Sequence, residues 1–236
     1  MFKKILAAAA SLTLFAFSNA VFAQDEAGLP GGTAEQAADA SPAPAQSYPA
    51  VNFSNEDDPE NIWLLDLSNG ERVAIRLMPQ WAPAHVERVK QLTRSGFYDG
   101  VIFHRVIEGF MAQGGDPTGT GQGGSQLPDL KAEFNPMPHI RGTVSMARAA
   151  DDDSANSQFF IVFYPRFSLD KKYTNFGRVI GNMGAVDAIN RGEPPANPTR
   201  IVQASIAADG KSRPTRPAPP QQQEITADML SAPLGS

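Results

Sequence analysis

The sequence predicts a mainly β protein in which an antiparallel sheet closes into a barrel and helices cover its open ends. Three observations support this fold class: many short runs of branched and aromatic residues, few helical patterns, and frequent glycine turns. The folded domain is expected over residues 59–207. A chain of this length buries roughly two thirds of the surface that it exposes when unfolded.

Runs of branched and aromatic residues place the strands. The first two, Ile62 to Leu67 and Arg72 to Leu77, are separated by a turn that contains Asn-Gly. Such a pair between apolar runs is the strongest short-range signal for a β-hairpin, so the domain is expected to open with one. Further strands are expected at 101–107, 110–113, 143–147, 158–163, 176–180 and 201–206.

Two segments have helical features. Residues 82–92 carry an apolar face, with Pro83 suited to the first turn and Gly96 placed after the end. A second helix is expected over residues 183–190, with Asn182 as its N-cap. Both helices are expected to cover the open ends of the barrel.

The N-terminus has the three parts of a secretory signal. The basic start MFKK precedes the apolar run Ile5 to Phe17, and small residues then lead to an expected cleavage site after Ala23. The alternative is a membrane anchor, but a bilayer span needs roughly 20 apolar residues and the next stretch here is polar. We therefore expect residues 1–23 to be removed, with the mature protein in the periplasm and without a membrane span.

The two segments that flank the domain have compositions typical of disorder. Residues 24–58 are mostly Ala, Pro, Gly, Gln and acidic residues, which predicts a flexible linker. Residues 208–236 include the run KSRPTRPAPPQQQ, which favours extended polyproline conformations over a packed core.

Composition narrows the possible functions. The formal net charge is -5, the opposite of the basic patch that nucleic-acid binding requires, so no nucleic-acid partner is expected. The absence of cysteine excludes disulfides, thiol nucleophiles and thiolate metal sites. Without a heptad pattern or an evident interface, a monomer is the default expectation. No cofactor is expected.

The run Phe97 to Asp116 is the most informative part of the chain. It places Arg105 among aromatic and thioether side chains and ends in glycines. A guanidinium is not deprotonated in proteins, but its rigid donors suit a polarised acceptor. The pattern indicates electrostatic chemistry, although a structural ion pair is the alternative role of this arginine.

Other polar clusters are interpreted as structural. His85, His104 and His139 are too scattered to predict a metal site, so none is assigned. The acidic run 151–153 lacks the ligand spacing of a calcium loop. The serines close to this run have no nearby histidine in a hydrolase motif, so a Ser-His-Asp hydrolase is not expected.

Five ordered motifs resemble the cyclophilins, which are peptidyl-prolyl cis-trans isomerases. They are FHRVIEGFMAQGGD from Phe103, EFN from Glu133, GTVSMARA from Gly142, NSQFFI from Asn156 and LDKKYTNFGRVIGNM from Leu169. The resemblance implies an eight-stranded antiparallel barrel capped by two α-helices. It also implies an active site on the outer face of the barrel and proline-containing polypeptides as substrates.

The resemblance also implies roles for individual residues. Arg105 matches the catalytic arginine, and Gln113 matches a position in the substrate groove. Gln113 is assigned a catalytic role beside Arg105, because its amide can hold the carbonyl before the proline. The matching substrate-binding positions are Phe110, Met111, Ala147, Arg148, Gln158, Phe160, Phe167, Leu169 and Tyr173. Gln158 is expected to orient the arginine.

Three positions depart from the family pattern. Arg148 stands where many members have asparagine, whereas Ser168 and Tyr173 stand where eukaryotic members have tryptophan and histidine. The first position is thought to hold substrate through its main chain and should tolerate the change. The changes at Ser168 and Tyr173 make it doubtful that this chain shares the family's cyclosporin binding and detailed substrate preference.

The resemblance implies an enzyme that accelerates rotation about X-Pro bonds in exported proteins and so assists their folding. No titrating group is needed for this chemistry, so the rate should be nearly flat between about pH 6 and 8. Two alternatives stay open: a proline-segment binding module with little turnover, and a carrier of an apolar ligand inside the barrel. The second requires an empty interior, whereas the large apolar residues on alternating strand positions predict a filled one.

Overall fold

The computed structural model describes residues 58–215, and these form one eight-stranded antiparallel sheet with two α-helices. The sheet order is β3-β4-β6-β5-β7-β2-β1-β8. The strands are β1 (Ile62–Leu67), β2 (Arg72–Leu77), β3 (Arg105–Ile107), β4 (Met111–Gly114), β5 (Thr143–Met146), β6 (Phe159–Val162), β7 (Asn175–Gly181) and β8 (Ile201–Ile206). The mainly β class with two helices is confirmed.

The sheet curls, but its two edge strands do not pair along their length. The segment before β3 meets the start of β8 through an isolated bridge between Ile102 and Arg200. Beyond it, Val106 of β3 exchanges both backbone hydrogen bonds with Gly192, at 2.8 and 2.9 Å. Because the segment that carries Gly192 occupies the outer edge of β3, β8 cannot pair with β3 there. The expected closed barrel is therefore overstated, and the expected strand 101–107 is a strand only over Arg105–Ile107.

The opening hairpin forms as predicted. Strands β1 and β2 pair in register, with Leu65 opposite Val73. At the turn, Gly70 has a positive φ of 82°, a conformation that glycine adopts without strain. The amide of Gly70 donates to the carbonyl oxygen of Leu67 at 2.9 Å, which closes the turn.

The helices are α1 (Pro83–Arg94) and α2 (Met183–Asp187). Asn182 caps α2 as predicted, since its side chain accepts from the amide of Ala185. This helix ends before the expected residue 190. The reason is tertiary, because the amide of Asn190 donates to Oγ1 of Thr199 at 3.1 Å instead of continuing the helix.

Two apolar clusters lie on opposite faces of the sheet. In the main core, Trp63 is fully buried, with ring centroids 5.2 Å from Tyr98 and 4.9 Å from Phe159. The interior is therefore filled by side chains, which removes the basis for an apolar-ligand carrier. A smaller cluster contains the buried residues Met111, Phe160 and Val162. Successive residues of a strand point to opposite faces, so this second cluster lies on the outer face.

The expected signal peptide 1–23, nearly all of the linker 24–58 and most of the tail 208–236 lie outside the described residues. Contacts with the sheet extend past the expected domain end at residue 207. Arg213 donates to the carbonyl oxygen of Gly70 at 2.6 Å, and Gln203 of β8 donates to that of Ser212 at 3.1 Å.

Candidate active site

Strand register brings the key polar and apolar side chains into one row on the outer face. Arg105 of β3 pairs with Gln113 of β4, and Gln113 pairs with Phe160 of β6. Directly opposite residues in antiparallel strands share a face. Their neighbours Val106 and Ala112 point the other way and belong to the main core. The row thus places a cation, an amide and an aromatic ring side by side.

These side chains border a surface depression of about 150 Å³, which we call the slot. Its floor is apolar, because Met111 and Phe160 are only 2% and 5% exposed. The ring of Tyr173 meets that of Phe160 edge to face, with centroids 5.5 Å apart. The depression is lined by Arg105, Phe110, Met111, Gln113, Ala147, Arg148, Phe160, Leu169 and Tyr173.

Two predicted site residues do not line this depression. Phe167 is 64% exposed in a short 3₁₀ helix (Phe167–Leu169), so its ring points into solvent. Only Leu169 of that helix reaches the depression. Gln158 lies in an adjoining polar groove beside Gln113.

The amide of Gln158 has a determined orientation. Its Nε2 donates to the carbonyl oxygens of Gly121 at 3.0 Å and Gly123 at 2.8 Å. Because carbonyls only accept, Nε2 must face them, and Oε1 accepts from Nε2 of Gln113 at 2.9 Å. The expected contact of Gln158 with Arg105 is thus replaced by one with Gln113.

A buried carboxylate shapes the loop that holds Gln158. Asp116 is fully buried and accepts from the amides of Thr118 at 2.7 Å, Gly121 at 2.6 Å and Gly123 at 3.1 Å. Burial alone would raise the pKa of Asp116, but these hydrogen bonds and that of the Thr118 hydroxyl outweigh it and lower the pKa to about 2. The carboxylate therefore keeps its charge and the loop keeps its shape. This fixes the carbonyls that orient Gln158.

Arg105 has a carboxylate partner that no sequence pattern indicated. Its Nε donates to Oε2 of Glu193 at 2.8 Å, and the two side chains are 42% and 51% exposed. The residues are 88 positions apart, and no local pattern signals the pair.

A Ser-His-Asp constellation lies directly beneath the slot. Nδ1 of His139 lies 2.8 Å from Oδ1 of Asp170, and Nε2 lies 2.9 Å from Oγ of Ser145. Because a carboxylate accepts, Nδ1 carries the proton, and the Ser145 hydroxyl donates to Nε2. Ser145 is fully buried, so it cannot act as a nucleophile on a substrate. The imidazole of His139 stacks on the ring of Phe160, with ring centroids 6.3 Å apart. The constellation therefore supports the floor of the slot.

Two of the departures from the family pattern contact each other. The guanidinium carbon of Arg148 lies 4.9 Å from the ring centroid of Tyr173, a cation–π geometry. Arg148 also donates to the carbonyl oxygen of Lys172 at 3.0 Å. The third departure, Ser168, is exposed in the 3₁₀ helix. The Arg148 side chain therefore ties the segment that carries Tyr173 to the end of β5.

Among residues 58–215, no group of three or more histidine or acidic side chains is placed to hold a metal ion. Within the same range, no helix has both the length and the apolar character to cross a membrane.

Comparison with protein families decides the identity. The model of the family described as cyclophilin type peptidyl-prolyl cis-trans isomerase/CLD matches residues 64–206, more than half of the chain. The chain belongs to the cyclophilin family. The prediction of a peptidyl-prolyl cis-trans isomerase is thereby confirmed.

Curated relatives and solved structures agree with this family. A probable peptidyl-prolyl cis-trans isomerase of Brucella suis is 46% identical over 183 residues, 71% of this chain and 93% of that protein. Peptidyl-prolyl cis-trans isomerase B of Bacillus subtilis is 41% identical over 128 residues, 54% of this chain and 89% of that protein.

Among crystal structures, a cyclophilin from Hirschia baltica has a TM-score of 0.60 and 30% identity, covering 64% of this chain and 76% of that one. A cyclophilin-type isomerase of Cryptosporidium parvum, crystallised in the presence of the dipeptide Ala-Pro, has a TM-score of 0.57 and 29% identity. That match covers 61% of this chain and 98% of that one.

Proposed function

We propose that this cyclophilin binds X-Pro segments in the depression on its outer face and that Arg105 stabilises the twisted transition state. The observation that supports it most is a guanidinium at the rim of an apolar slot, with the Gln113 amide beside it. The crystallisation of the Cryptosporidium parvum isomerase in the presence of the dipeptide Ala-Pro is consistent with a substrate of this class.

The chemistry needs a hydrogen-bond donor rather than a nucleophile. Amide resonance makes rotation of peptide bonds cost about 18–20 kcal/mol. When an X-Pro bond is twisted, its nitrogen loses conjugation and gains a lone pair that a donor can bind. A donor that Arg105 directs at this nitrogen would stabilise the twisted state more than either planar state.

The other side chains would hold the substrate for that donor. Phe160 and Met111 form an apolar floor for a proline ring, and such a floor also excludes water. Gln113 can hold the carbonyl before the proline. One oriented donor contributes about 3–4 kcal/mol in other enzymes, so the fixed, dehydrated pose must add several more.

An extended substrate has limited room to pair with the backbone beside the slot. The amide of Ala147 is not free for a substrate, because it donates to the carbonyl oxygen of Gln158 at 2.9 Å. The amide of Ala149 donates to Oγ of Ser154 at 2.9 Å. We therefore assign main-chain pairing with substrate to Arg148, between these two occupied amides.

The rate is expected to be nearly constant between about pH 6 and 8, because no group that titrates there takes part. Below this range stability should fall. Burial lowers the pKa of His139 from its ordinary value of 6.5, against the opposing effect of Asp170. The neutral ring is thus favoured in the fold, so its contribution is complete above about pH 6.5 and is lost as the pH falls through the lowered value.

The check is to measure kcat/KM and the urea midpoint from about pH 5 to pH 8, for the wild type and for His139→Gln. The variant should show a shallower acid loss of stability. A steep bell-shaped rate profile near neutrality would contradict the proposed mechanism.

We further propose that the protein is exported and acts on other exported proteins in the periplasm. The support is the basic start, apolar run and small-residue site that end at Ala23. N-terminal sequencing of the protein from an osmotic-shock fraction should begin at Gln24. An intact Met1 in the cytosolic fraction would contradict export. A monomeric state, the lack of a nucleic-acid partner and weak cyclosporin binding stay predictions from the sequence.

A further inference from the structure

We propose that Glu193 is a positioning residue for Arg105: its carboxylate sets the plane of the guanidinium that acts on the X-Pro bond. This inference rests on the proposed role of Arg105. It assigns a function in the reaction to a residue outside the slot.

The contact leaves the right donors available. Oε2 of Glu193 accepts from Nε of Arg105 at 2.8 Å. A guanidinium is planar and rigid, so a bond at Nε fixes the orientation of the whole group. The terminal nitrogens carry the remaining donors, and they stay available to a substrate bound in the slot. A carboxylate on a terminal nitrogen would instead compete with the substrate.

The backbone places Glu193 opposite Arg105. Gly192 and Val106 form an antiparallel bridge with hydrogen bonds in both directions, at 2.8 and 2.9 Å. In an antiparallel pair the register runs in opposite directions, so the residue after Gly192 faces the residue before Val106. The side-chain contact is therefore a consequence of strand-like pairing, not of two long side chains that meet in solvent.

Arg191 anchors the segment that carries Glu193 to the rest of the domain. Nε of Arg191 donates to Glu108 at 2.7 Å, and its Nη1 donates to the carbonyl oxygen of Asp187 at 2.7 Å. Its guanidinium carbon also lies 4.4 Å from the ring centroid of Phe163. Gly192 follows at φ +140°, where a Cβ would lie 2.6 Å from Cα of Pro195, so the chain turns tightly here. The carboxylate is delivered by an anchored segment.

The alternative is an exposed ion pair with no role in the reaction. Such pairs contribute little to stability, because solvent screens them and two long side chains lose conformational freedom. Stability therefore cannot separate the two interpretations, but turnover can. A positioning contact changes kcat when it is lost, whereas the apolar floor of the slot keeps KM nearly unchanged.

The experiment compares Glu193→Ala and Glu193→Gln in the full chain, with isomerisation of a proline tetrapeptide as the readout. We expect kcat to fall about three- to fivefold in the alanine variant and KM to change little. Glutamine keeps a neutral acceptor and should restore most of the rate. The ¹⁵Nε–H resonance of Arg105 should move in the alanine variant and return toward its original position in the glutamine variant.

Glu60→Ala is the matched control. Glu60 accepts from Arg94 at 2.9 Å and its side chain is 48% exposed, close to the values for Glu193. Unlike Arg105, however, Arg94 does not line the slot. This variant should keep the wild-type rate. The double variant Arg105→Ala with Glu193→Ala should be no slower than Arg105→Ala alone, since Glu193 acts through the arginine.

Two results would overturn the inference: a wild-type kcat in Glu193→Ala, or a further loss when Glu193→Ala is added to Arg105→Ala. Neither would affect the proposed role of Arg105 if Arg105→Ala is itself much slower than the wild type. A fully active Arg105→Ala would instead overturn the proposed function, and this inference with it.

Discussion

Replacement of Arg105 by alanine is expected to lower kcat/KM for isomerisation of a proline tetrapeptide by about 100- to 1,000-fold, the usual effect of removing one oriented donor. The loss should appear mainly in kcat, because the donor acts on the twisted state more than on the planar one. The apolar floor of Met111 and Phe160 stays in place and should keep KM close to the wild-type value.

The lysine variant adds information about geometry. Arg105→Lys keeps the charge but loses the planar fork and the Nε that Glu193 binds. We expect it to recover only a small part of the lost rate. A full recovery would show that charge alone suffices and that the orientation of the donors does not matter.

Arg94→Ala is the matched control for surface charge. The Arg94 side chain is 41% exposed and pairs with Glu60 and Asp209, whereas that of Arg105 is 42% exposed and pairs with Glu193. Loss of Arg94 should leave the rate unchanged. A wild type without turnover would favour the alternative of a proline-segment binding module. Equal rates for wild type and Arg105→Ala would contradict the proposed role of Arg105.

The second large effect is expected on stability, from Gly115→Ala. Gly115 has φ +88°, and a Cβ there would lie 2.9 Å from Cα of Gln158 and closer still to the carbonyl oxygen of Ser157. Left-handed geometry costs an alanine about 1–2 kcal/mol, and overlap with backbone adds about 1–3 more. We expect a loss of roughly 3 kcal/mol in the free energy of unfolding.

Gly109→Ala separates the two costs. Gly109 also has a positive φ, of 67°, but a Cβ there would meet no heavy atom within 4 Å. It should lose only the conformational part, about 1–2 kcal/mol. Urea unfolding of both variants gives the comparison. Equal losses would show that the loop after β4 does not depend on close contact with β6.

The Gly115 variant should also affect the site. Its collision would push away the backbone of Gln158, whose Oε1 holds the amide of Gln113 at 2.9 Å. The rate at a temperature where the variant is folded should therefore fall. Gly109→Ala should keep the wild-type rate.

Local sequence patterns were sufficient to predict the secondary-structure elements and most of the residues that line the slot. The hairpin followed from Asn-Gly between apolar runs, and the cap of α2 followed from Asn182. The motif around Arg105 identified the row on β3 and β4 because neighbouring strands bring residues of one continuous segment together.

Local patterns failed where a contact joins distant segments. The length of α2 depends on the bond from Asn190 to Thr199, and the incomplete closure of the sheet depends on Gly192 at the edge of β3. The buried Ser-His-Asp constellation joins Ser145 and His139 to Asp170 from a separate loop. None of these contacts has a signature within one segment.

The amino-acid sequence by itself determined that this protein is a cyclophilin, which strands it uses and that Arg105 lies beside an apolar slot. Alternation, turn residues and ordered motifs carry that information because each acts over a few neighbouring residues. Only the tertiary structure decided that Glu193 holds Arg105, that Gln158 orients Gln113 and that the sheet closes incompletely. The physical reason is that these depend on hydrogen bonds whose directions are set when separate strands and loops pack against one another.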